Sequence, residues 1–336
     1  MMKIHGTDVE IFVLSYNRAS FLRDCLQSIL NQTFRDFTVT VLDNHSDEDI
    51  AGVVNAFQDD RLRLIVNPSN IGPFANWIKA YNMASAKYMM IFHDDDCMSP
   101  RMVERQVQLF EKYPNLSQVS AGVNLINRSS EMLVFEDKDA LDYRIFKTPD
   151  SLVDTYLFGK VVFGFGSVLY KTRIAKQVSP DIERFANVGD RPYMLALTAL
   201  GPHIQMSAPI YNVRAHPGQD SGTRNWSYLA EIEVGRYYLE MSHKPKSCRL
   251  RSAVMGVLAA NYAARHPRVP LGEWLRALRE RNIFYRQPLL LKLPYYLLRN
   301  WLKRFAVKLA PHAYAESVAR RVRRERTRRT QLGKET

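Results

Sequence analysis

Apolar runs and helix-like segments alternate along the first third of the chain. The apolar runs are typical of buried strands and lie at Val9–Ser15, Phe37–Leu42, Leu62–Val66 and Tyr88–Phe92. Between and after them, apolar residues recur at helical spacing over Ala19–Asn31, Ile50–Phe57, Phe74–Ala84 and Pro100 to about Tyr113. This alternation predicts an α/β fold with a mostly parallel sheet that helices cover on both faces.

Polar residues follow each predicted strand at the point where the strand ends. These segments are Ser15–Arg18, Asp43–Asp47, Asn67–Gly72 and His93–Asp96. Ligands of open parallel sheets bind in the crevice outside the carboxyl ends of the strands, so the segments predict a ligand site at one edge of the sheet. Loops are polar in general, but that alternative explains a single segment more readily than the whole set.

Asp94, Asp95 and Asp96 follow the apolar run Tyr88–Phe92 after a single histidine. Carboxylates packed this closely repel one another, and a divalent cation relieves the repulsion. Mg²⁺ or Mn²⁺ is usually shared between carboxylates and the phosphates of a substrate, so the run also suggests a phosphate-bearing substrate. The alternative is a turn of solvated aspartates, because Asp is common in turns and at helix N-termini.

Length and composition limit the class of protein. With 336 residues, 46% of them hydrophobic, the chain is long enough for one large α/β domain and a smaller appendage. We find no signal-peptide core and no stretch as long and apolar as a transmembrane helix, so a cytosolic protein is the expectation. The three cysteines are far apart and odd in number, which argues against a disulfide framework or a cysteine-based metal site.

The loop after the first strand disfavours several nucleotide-binding classes. Ser15–Ser20 contains no glycine, whereas dinucleotide-binding domains carry Gly-x-Gly-x-x-Gly at this place and sugar-1-phosphate nucleotidyltransferases carry a glycine-rich basic loop. The Gly-x-x-x-x-Gly-Lys-Ser/Thr phosphate loop is also absent from the sequence. Phosphatases of the haloacid-dehalogenase type place their aspartates after the first strand, whereas here they follow the fourth predicted strand.

Several of these segments together resemble the family 2 glycosyltransferases, which are inverting enzymes of the GT-A fold, here of the bacterial surface-glycan type. The segments are Phe12–Arg18, Leu26–Thr33, Val41–Ser46, Asn70–Gly72 and His93–Asp96, within a resemblance over about residues 8–222. The resemblance implies a GT-A catalytic domain over residues 1–224, with a nucleotide half to about residue 115 and an acceptor half over about 116–224. A helical C-terminal region over residues 225–336 would follow.

The resemblance assigns most of the polar strand ends to a nucleotide-sugar donor. Asp43 would accept a hydrogen bond from the N3–H group of uracil or thymine, which favours a UDP or dTDP donor. Tyr16 would pack on the base, with packing inside its own loop as the alternative. The implied nucleotide-binding residues are Ser15, Tyr16, Asn17, Arg18, Asp43, Asn70, Gly72, Asn76, Asp94, Asp95 and Arg214.

The aspartate run resembles the Asp-x-Asp element of the family, which implies Mn²⁺ or Mg²⁺ as cofactor. Asp96 and Asp95 would bind the metal, with Asp96 the strongest candidate, and His216 would complete the metal shell or touch a phosphate. A lone loop histidine is otherwise a surface or packing residue. The forked donors of Arg214 suit a phosphate in the loop that closes over the diphosphate. We expect His93 to orient the aspartate loop.

The second half of the domain carries the implied base and acceptor side. An inverting transfer needs a base that takes the proton of the acceptor hydroxyl, and Asp190 fits the family position. The alternative for Asp190 is a helix N-cap, because Met194–Leu200 is helical in character. The implied acceptor residues are Gly164, Phe165, Gly166 and Arg191, where the glycines approach a sugar or simply form a turn. A short strand is predicted around Ile210.

The positive charge is concentrated at the C-terminal end. Fourteen Lys or Arg and three Glu lie from Arg286 onward, which gives this tail +11 of the total net charge of +13. Phe284–Ala310 is basic, amphipathic and aromatic, as a helix lying on an anionic membrane surface requires. Packing on the catalytic domain is the main alternative, and nucleic-acid binding is not expected.

The hypothesis for the whole chain is a metal-dependent, inverting glycosyltransferase of polysaccharide biosynthesis. It would move a sugar from a nucleoside-diphosphate sugar to a hydroxyl of a glycan or lipid-linked glycan. The tail would make it peripheral on the cytoplasmic face of the inner membrane. The alternatives are a non-catalytic nucleotide-sugar-binding or membrane-associated scaffold with the same fold, and a sugar-phosphate nucleotidyltransferase.

Overall fold

The structure is a computed structural model that describes residues 7–127, 130, 142–158, 164–216 and 228–242. Its strands are β1 (Val9–Ser15), β2 (Phe37–Asp43), β3 (Leu62–Val66), β4 (Tyr88–His93), β5 (Cys97–Met98), β6 (Gln118–Ile126), β7 (Tyr143–Phe146), β8 (Val168–Lys171) and β9 (His203–Arg214). Its helices are α1 (Ala19–Leu30), α2 (Ile50–Asn55), α3 (Pro73–Met83), α4 (Met102–Lys112), α5 (Pro149–Phe158), α6 (Thr172–Ala175), α7 (Ile182–Phe185), α8 (Asp190–Leu200) and α9 (Tyr228–Met241).

The described strands form one sheet in the order β3-β2-β1-β4-β8-β6-β9-β5, and β7 also pairs with β9. The first four strands of this order are mutually parallel, as predicted. The sheet is mixed beyond β4, because β8 runs antiparallel to both β4 and β6 while β6 and β9 are parallel. The α/β fold class is confirmed, and β1 to β4 form the continuous parallel part of the sheet.

Two apolar clusters pack on opposite faces of the sheet. Successive residues of β1 divide between them, with Ile11 and Val13 in one cluster and Phe12 in the other. The first cluster contains the buried faces of α1, α2 and α4, and the second contains those of α3 and α8. Because β1 is buried on both faces, it has the nearly continuous apolar sequence from which it was predicted.

Helix α4 begins later than its proline suggested. We expected Pro100 in the first turn, but α4 starts at Met102 with Arg101 as its N-cap. The Pro100 carbonyl instead accepts a hydrogen bond of 2.8 Å from the Thr33 backbone N–H. The proline therefore ties the approach to α4 to the segment that follows α1.

Strand β9 is longer than the short strand expected around Ile210. It runs from His203 to Arg214 and pairs in parallel with β6, where Ile126 lies opposite Arg214. This pairing extends the strand through Tyr211 and Arg214, which the sequence placed in a loop. Both residues are buried as a result, at 2% and 0% exposure.

The described part of the C-terminal region is α9. It packs on α7 and α8, where the Arg184 guanidinium lies 2.8 Å from Glu240 and the rings of Phe185 and Tyr237 are 5.3 Å apart. The predicted basic amphipathic tail from Arg286 lies outside the described residues. Within the described residues, no helix has the length and apolarity that crossing a bilayer requires.

His203 at the start of β9 makes the folded state sensitive to acid. Its ring is fully buried, with Nε2 2.7 Å from the Ser120 hydroxyl, and burial lowers the pKa of His203 to about 3. The unfolded chain binds this proton below about pH 6.5, so the stabilisation is complete above that pH and is lost as the pH falls towards 3. The loss approaches about 1.4 kcal/mol per pH unit.

We expect His203→Gln to flatten the dependence of unfolding free energy on pH between pH 6 and pH 4. Urea unfolding of the wild type and of His203→Gln at several pH values measures this dependence. The slopes of unfolding free energy against pH are compared between the two proteins, because the other titratable groups contribute equally to both. Identical slopes would show that the pKa of His203 is the same in the folded and the unfolded protein, which would contradict this prediction.

Candidate active site

The ends of β1, β2 and β4 meet at one edge of the sheet, as predicted. Ser15 lies opposite Asp43 in the register of β1 and β2, and Leu14 lies opposite His93 in that of β1 and β4. Asp43 is 3% exposed, and its carboxylate accepts hydrogen bonds from the hydroxyl and the backbone N–H of Ser46. These hydrogen bonds fix the orientation of the Asp43 carboxylate at this edge of the sheet.

The loop after β1 is tied to the loop after β2. Asn17 has a φ of 51°, and its side-chain oxygen accepts a hydrogen bond of 2.7 Å from the Asp47 backbone N–H. Glu48 accepts a hydrogen bond of 2.7 Å from the Ala19 N–H at the start of α1, where Arg18 supplies no side-chain cap. Asn17 thus shapes the loop, while Tyr16 remains 42% exposed at the edge.

Asp94 anchors the aspartate run to the loop after β1. Its carboxylate accepts hydrogen bonds from the Tyr16 backbone N–H at 3.0 Å and from the Arg18 guanidinium at 3.1 Å. Burial raises the pKa of Asp94 to about 7, against the opposing effect of Arg18. Each oxygen of the Asp94 carboxylate therefore accepts a hydrogen bond from the loop after β1.

Asp95 and Asp96 are held by residues at the end of β9. His216 Nε2 lies 2.9 Å from Asp95 Oδ2, while one Asp96 oxygen accepts a hydrogen bond of 3.0 Å from the Arg214 backbone N–H. The Tyr211 hydroxyl donates to the other Asp96 oxygen. Although burial opposes ionisation of Asp95, the nearby cationic groups hold the pKa of Asp95 below its usual value.

His93, Asp95 and Asp96 form a group suited to a metal ion. One ligand atom from each lies within 4.8 Å of the others, and His93 Nδ1 is 3.6 Å from Asp96 Oδ2. Carboxylate oxygens suit Mn²⁺ or Mg²⁺, so Asp95 and Asp96 fit the implied cofactor. Burial lowers the pKa of His93, but the neighbouring carboxylates outweigh this effect and raise it to about 9. The sequence gives one indication that His93 could be a metal ligand, because His93 directly precedes the three aspartates.

Arg214 does not occupy the expected position at a phosphate. Its side chain is fully buried, and Nε donates to the Asp95 carbonyl at 2.8 Å. The rest of the guanidinium donates to Asp24 at 3.1 Å and to Ser130 at 3.0 Å, and it lies 4.8 Å from the centre of the Phe21 ring. Because β9 extends through Arg214, the side chain points into protein and binds the aspartate turn from behind.

Four asparagines link the loops after β2 and β3. Asn67 Nδ2 donates to the side-chain oxygens of Asn44 and Asn76 at 3.0 Å each, and Asn76 donates to the Leu42 carbonyl at 2.9 Å. The side chain of Asn76 is thereby used inside the protein, which does not match its expected role at the donor. Asn70 is exposed, and its oxygen accepts from Asn44 at 2.8 Å. The sequence pattern did not single out Asn44 or Asn67.

The glycines expected at the acceptor lie against Tyr211. A Cβ atom on Gly164 would be 2.4 Å from Tyr211 Cε1, and one on Gly166 would be 2.6 Å from the Tyr211 hydroxyl. Both glycines therefore make room for a protein ring in the described structure, instead of for a sugar. Between them, Phe165 lies 6.0 Å from the His93 ring and 4.9 Å from the Trp77 ring, measured between centroids.

Asp190 is the first residue of α8, and the N-cap position falls on Gly189. Gly189 lies next to Trp77, since a Cβ atom there would be 3.7 Å from the Trp77 ring. The contacts from His93 through Phe165 and Trp77 therefore connect the aspartate edge with the start of α8. Asp190 and the neighbouring Arg191 are both partly exposed.

Solved structures show that this arrangement is a glycosyltransferase fold. The S. aureus TarS 1–349 structure with UDP-GlcNAc matches with a TM-score of 0.59 at 14% identity, over 88% of this chain and 90% of that one. The mannosyltransferase PcManGT of Pyrobaculum calidifontis, in complex with GDP-Man and Mn²⁺, matches with a TM-score of 0.51 at 14% identity, over 90% and 88% of the two chains. The described structure therefore has the GT-A fold.

Sequence comparison finds similarity to one family and to several curated glycosyltransferases. Residues 10–159, less than half of the chain, match glycosyl transferase family 2. An uncharacterized glycosyltransferase of Methanocaldococcus jannaschii is 27% identical over 177 residues, which are 52% of this chain and 59% of that protein. A GalNAc(5)-diNAcBac-PP-undecaprenol beta-1,3-glucosyltransferase of Campylobacter jejuni is 27% identical over 48% of this chain and 58% of that protein. The chain thus spans less than two thirds of the length of either relative.

Proposed function

We propose that the protein transfers a sugar, with inversion, from a nucleoside-diphosphate sugar to a hydroxyl of a glycan or lipid-linked glycan. The observation that carries this proposal is the convergence of Asp43 and the Asp94–Asp96 run at the carboxyl ends of parallel strands. Solved proteins of the same fold hold UDP-GlcNAc and GDP-Man, which supports a nucleotide-sugar donor. The domain from residue 1 to 224 is the proposed catalytic unit.

The nucleoside is proposed to bind at the ends of β1 and β2. Asp43 would accept from the N3–H group of uracil or thymine. Its position at the end of β2 and the exposed Tyr16 ring in the loop after the neighbouring β1 support this proposal. The buried Ser15 hydroxyl has no hydrogen-bond partner among the described residues, and a bound base satisfies such a group. These features support UDP or dTDP as the nucleotide, with Asn70 and Gly72 lining the ribose and the sugar.

The diphosphate is proposed to lie at His93, Asp95 and Asp96, which together with His216 would hold Mn²⁺ or Mg²⁺. A bound divalent cation supplies Lewis-acid stabilisation of the charge that grows on the leaving diphosphate. The protein contributes orientation, because Arg18 and His216 fix Asp95 while Tyr211 fixes Asp96. Asp94 then positions the loop after β1.

Asp190 is proposed as the general base. As the acceptor oxygen forms its bond to the anomeric carbon, its proton passes to the Asp190 carboxylate, and the bond from that carbon to the diphosphate oxygen breaks. Attack from the face opposite the diphosphate inverts the anomeric configuration. Phe165 and Arg191 are proposed to contact the acceptor. This is supported by the position of Arg191 in the first turn of α8 and by the contact of Phe165 with Trp77, which lies next to Gly189.

We further propose that the acceptor is presented at a membrane surface on the cytoplasmic side, in polysaccharide biosynthesis. The basic amphipathic tail supports this proposal, as does the lipid-linked substrate in the name of the C. jejuni relative. Sedimentation with anionic vesicles tests it, because removal of residues 286–336 should abolish co-sedimentation. Equal co-sedimentation of both proteins would contradict a membrane role for the tail.

A thermal-shift measurement tests the donor site. We expect UDP or dTDP with Mn²⁺ at about 100 times its Kd to stabilise the folded protein by about 2.7 kcal/mol. That is a rise of about 5 to 10 °C in Tm for a domain of this size. Asp95→Asn should lose the Mn²⁺-dependent part of the rise, whereas Asp47→Asn, an exposed aspartate of the β2 loop, should keep it.

The thermal-shift measurement also includes GDP, because guanine is the alternative base. A larger rise with GDP than with UDP or dTDP would reassign the base, and no rise with any nucleotide would contradict the proposed function. A rise that is equal with and without Mn²⁺ would remove the metal from the proposal.

A further inference from the structure

Tyr211 holds one of the proposed metal carboxylates. It is 2% exposed on β9, where Met98 of β5 and Val123 of β6 lie opposite it, and its hydroxyl donates to Asp96. The Arg214 backbone N–H binds the other Asp96 oxygen at 3.0 Å. A carboxylate oxygen has two lone pairs, so these donors fix the carboxylate plane and still leave positions for a cation.

The turn at Gly164–Ser167 is shaped around the Tyr211 ring. Gly164 has a φ of −86°, which any residue can adopt. Glycine is therefore needed at this position because there is no space for a side chain, and not because of the backbone conformation. The space is filled by Tyr211, since Cβ atoms on Gly164 and Gly166 would lie 2.4 Å and 2.6 Å from its ring and hydroxyl. The Ser167 hydroxyl closes the turn by donating to the Gly164 carbonyl at 2.7 Å.

The turn Gly164–Ser167 also contacts His93, another of the proposed metal ligands. Phe165 lies between the two glycines, and its ring is 6.0 Å from that of His93. The turn therefore touches His93 through Phe165 and Asp96 through Tyr211. Any displacement of the turn changes the surroundings of both proposed ligands.

We propose that Tyr211 is a positioning residue that couples the turn Gly164–Ser167 to Asp96. A displacement of this turn then changes how tightly a divalent cation is held at Asp96, because the Tyr211 ring and its hydroxyl move with the turn. The inference rests on the proposed function of the site. It goes beyond it by giving the glycine turn a task at the proposed cation.

The test is the affinity for Mn²⁺ in the presence of saturating UDP, measured by electron paramagnetic resonance of the free ion. Tyr211→Phe keeps the ring and removes the hydroxyl, and we expect Mn²⁺ to bind about 10 to 100 times more weakly. Tyr193→Phe is the matched control, because it also removes a buried hydroxyl, which donates to the Ala175 carbonyl at 3.2 Å. That control should bind Mn²⁺ like the wild type.

Gly166→Ala tests the coupling from the side of the turn. The added methyl group presses on the Tyr211 hydroxyl, so we expect weaker Mn²⁺ binding in the wild-type background and a much smaller further effect in Tyr211→Phe. Circular dichroism and Tm confirm that each variant is folded. Full additivity of the two changes would overturn the coupling.

The outcomes separate this inference from the proposed function. Equal Mn²⁺ affinity of the wild type and Tyr211→Phe would overturn the inference alone. A wild-type protein that binds no Mn²⁺ with UDP present would overturn the metal site and this inference with it.

Discussion

We expect Asp190→Asn to lower the turnover of the proposed sugar transfer by about 1,000-fold and to leave the affinity for the nucleotide unchanged. The amide has nearly the shape of the carboxylate but cannot accept the proton of the acceptor hydroxyl, and a general base contributes about 100- to 10,000-fold to such a step. Release of the nucleoside diphosphate under saturating donor and acceptor measures the turnover. Thermal shift with nucleotide and Mn²⁺ measures the donor site separately.

Asp181→Asn is the matched control for Asp190→Asn. Asp181 is the N-cap of α7, only nine positions before Asp190, and its carboxylate accepts from the Arg184 N–H at 2.9 Å. Because Asn caps helices as well as Asp, this control should be stable and active. If Asp190→Asn turns over donor as fast as the control, Asp190 is a first-turn helix residue and another group takes the proton.

The parallel half of the fold was predictable because its signals are local. Strands buried on both faces have continuous apolar sequences, and β1 has the predicted bounds. The edge strand β3 is only partly buried, but its bounds also match the prediction. Polar residues at the ends of these strands converge wherever the strands are parallel neighbours, so the edge formed by Ser15, Asp43 and His93 followed from the order of elements.

The division of labour within the site was not predictable, because it depends on contacts between distant segments. Tyr211 and Asp96 are 115 positions apart, and Arg214 and Asp24 are 190 positions apart. Spacing in the sequence carries no information on which aspartate meets which donor. The extension of β9 decided the position of Arg214, and pairing with β6 produced that extension.

The three aspartates consequently differ in what the protein does with them. Asp94 is bound by Arg18 and the Tyr16 backbone, whereas Asp95 and Asp96 lie in the same group as His93. Among the described residues, Asp94 does not belong to the group whose possible ligand atoms lie within 4.8 Å of one another. The structure therefore favours Asp95 and Asp96, with His93, as the proposed metal ligands.

We expect Arg214→Met to lower the free energy of unfolding by about 3 kcal/mol, because it removes several hydrogen bonds of a buried charged group and leaves the Asp95 carbonyl without this donor. The guanidinium is 0% exposed and binds Asp24, the Asp95 carbonyl and Ser130. Methionine fills much of the same volume as arginine and leaves little cavity. The loss of unfolding free energy therefore comes mainly from the polar contacts of Arg214. Urea unfolding followed by circular dichroism measures it.

Arg184→Met is the control for a more exposed arginine with comparable contacts. Arg184 is 32% exposed and pairs with Glu240, which is 54% exposed, and exposed pairs contribute about 1 kcal/mol or less. Arg214→Met should also weaken Mn²⁺ binding, because the Asp95 carbonyl and the turn that follows it lose their support from behind. Equal, small losses of stability in the two variants would mean that water replaces the partners of Arg214, and its burial would then have no structural role.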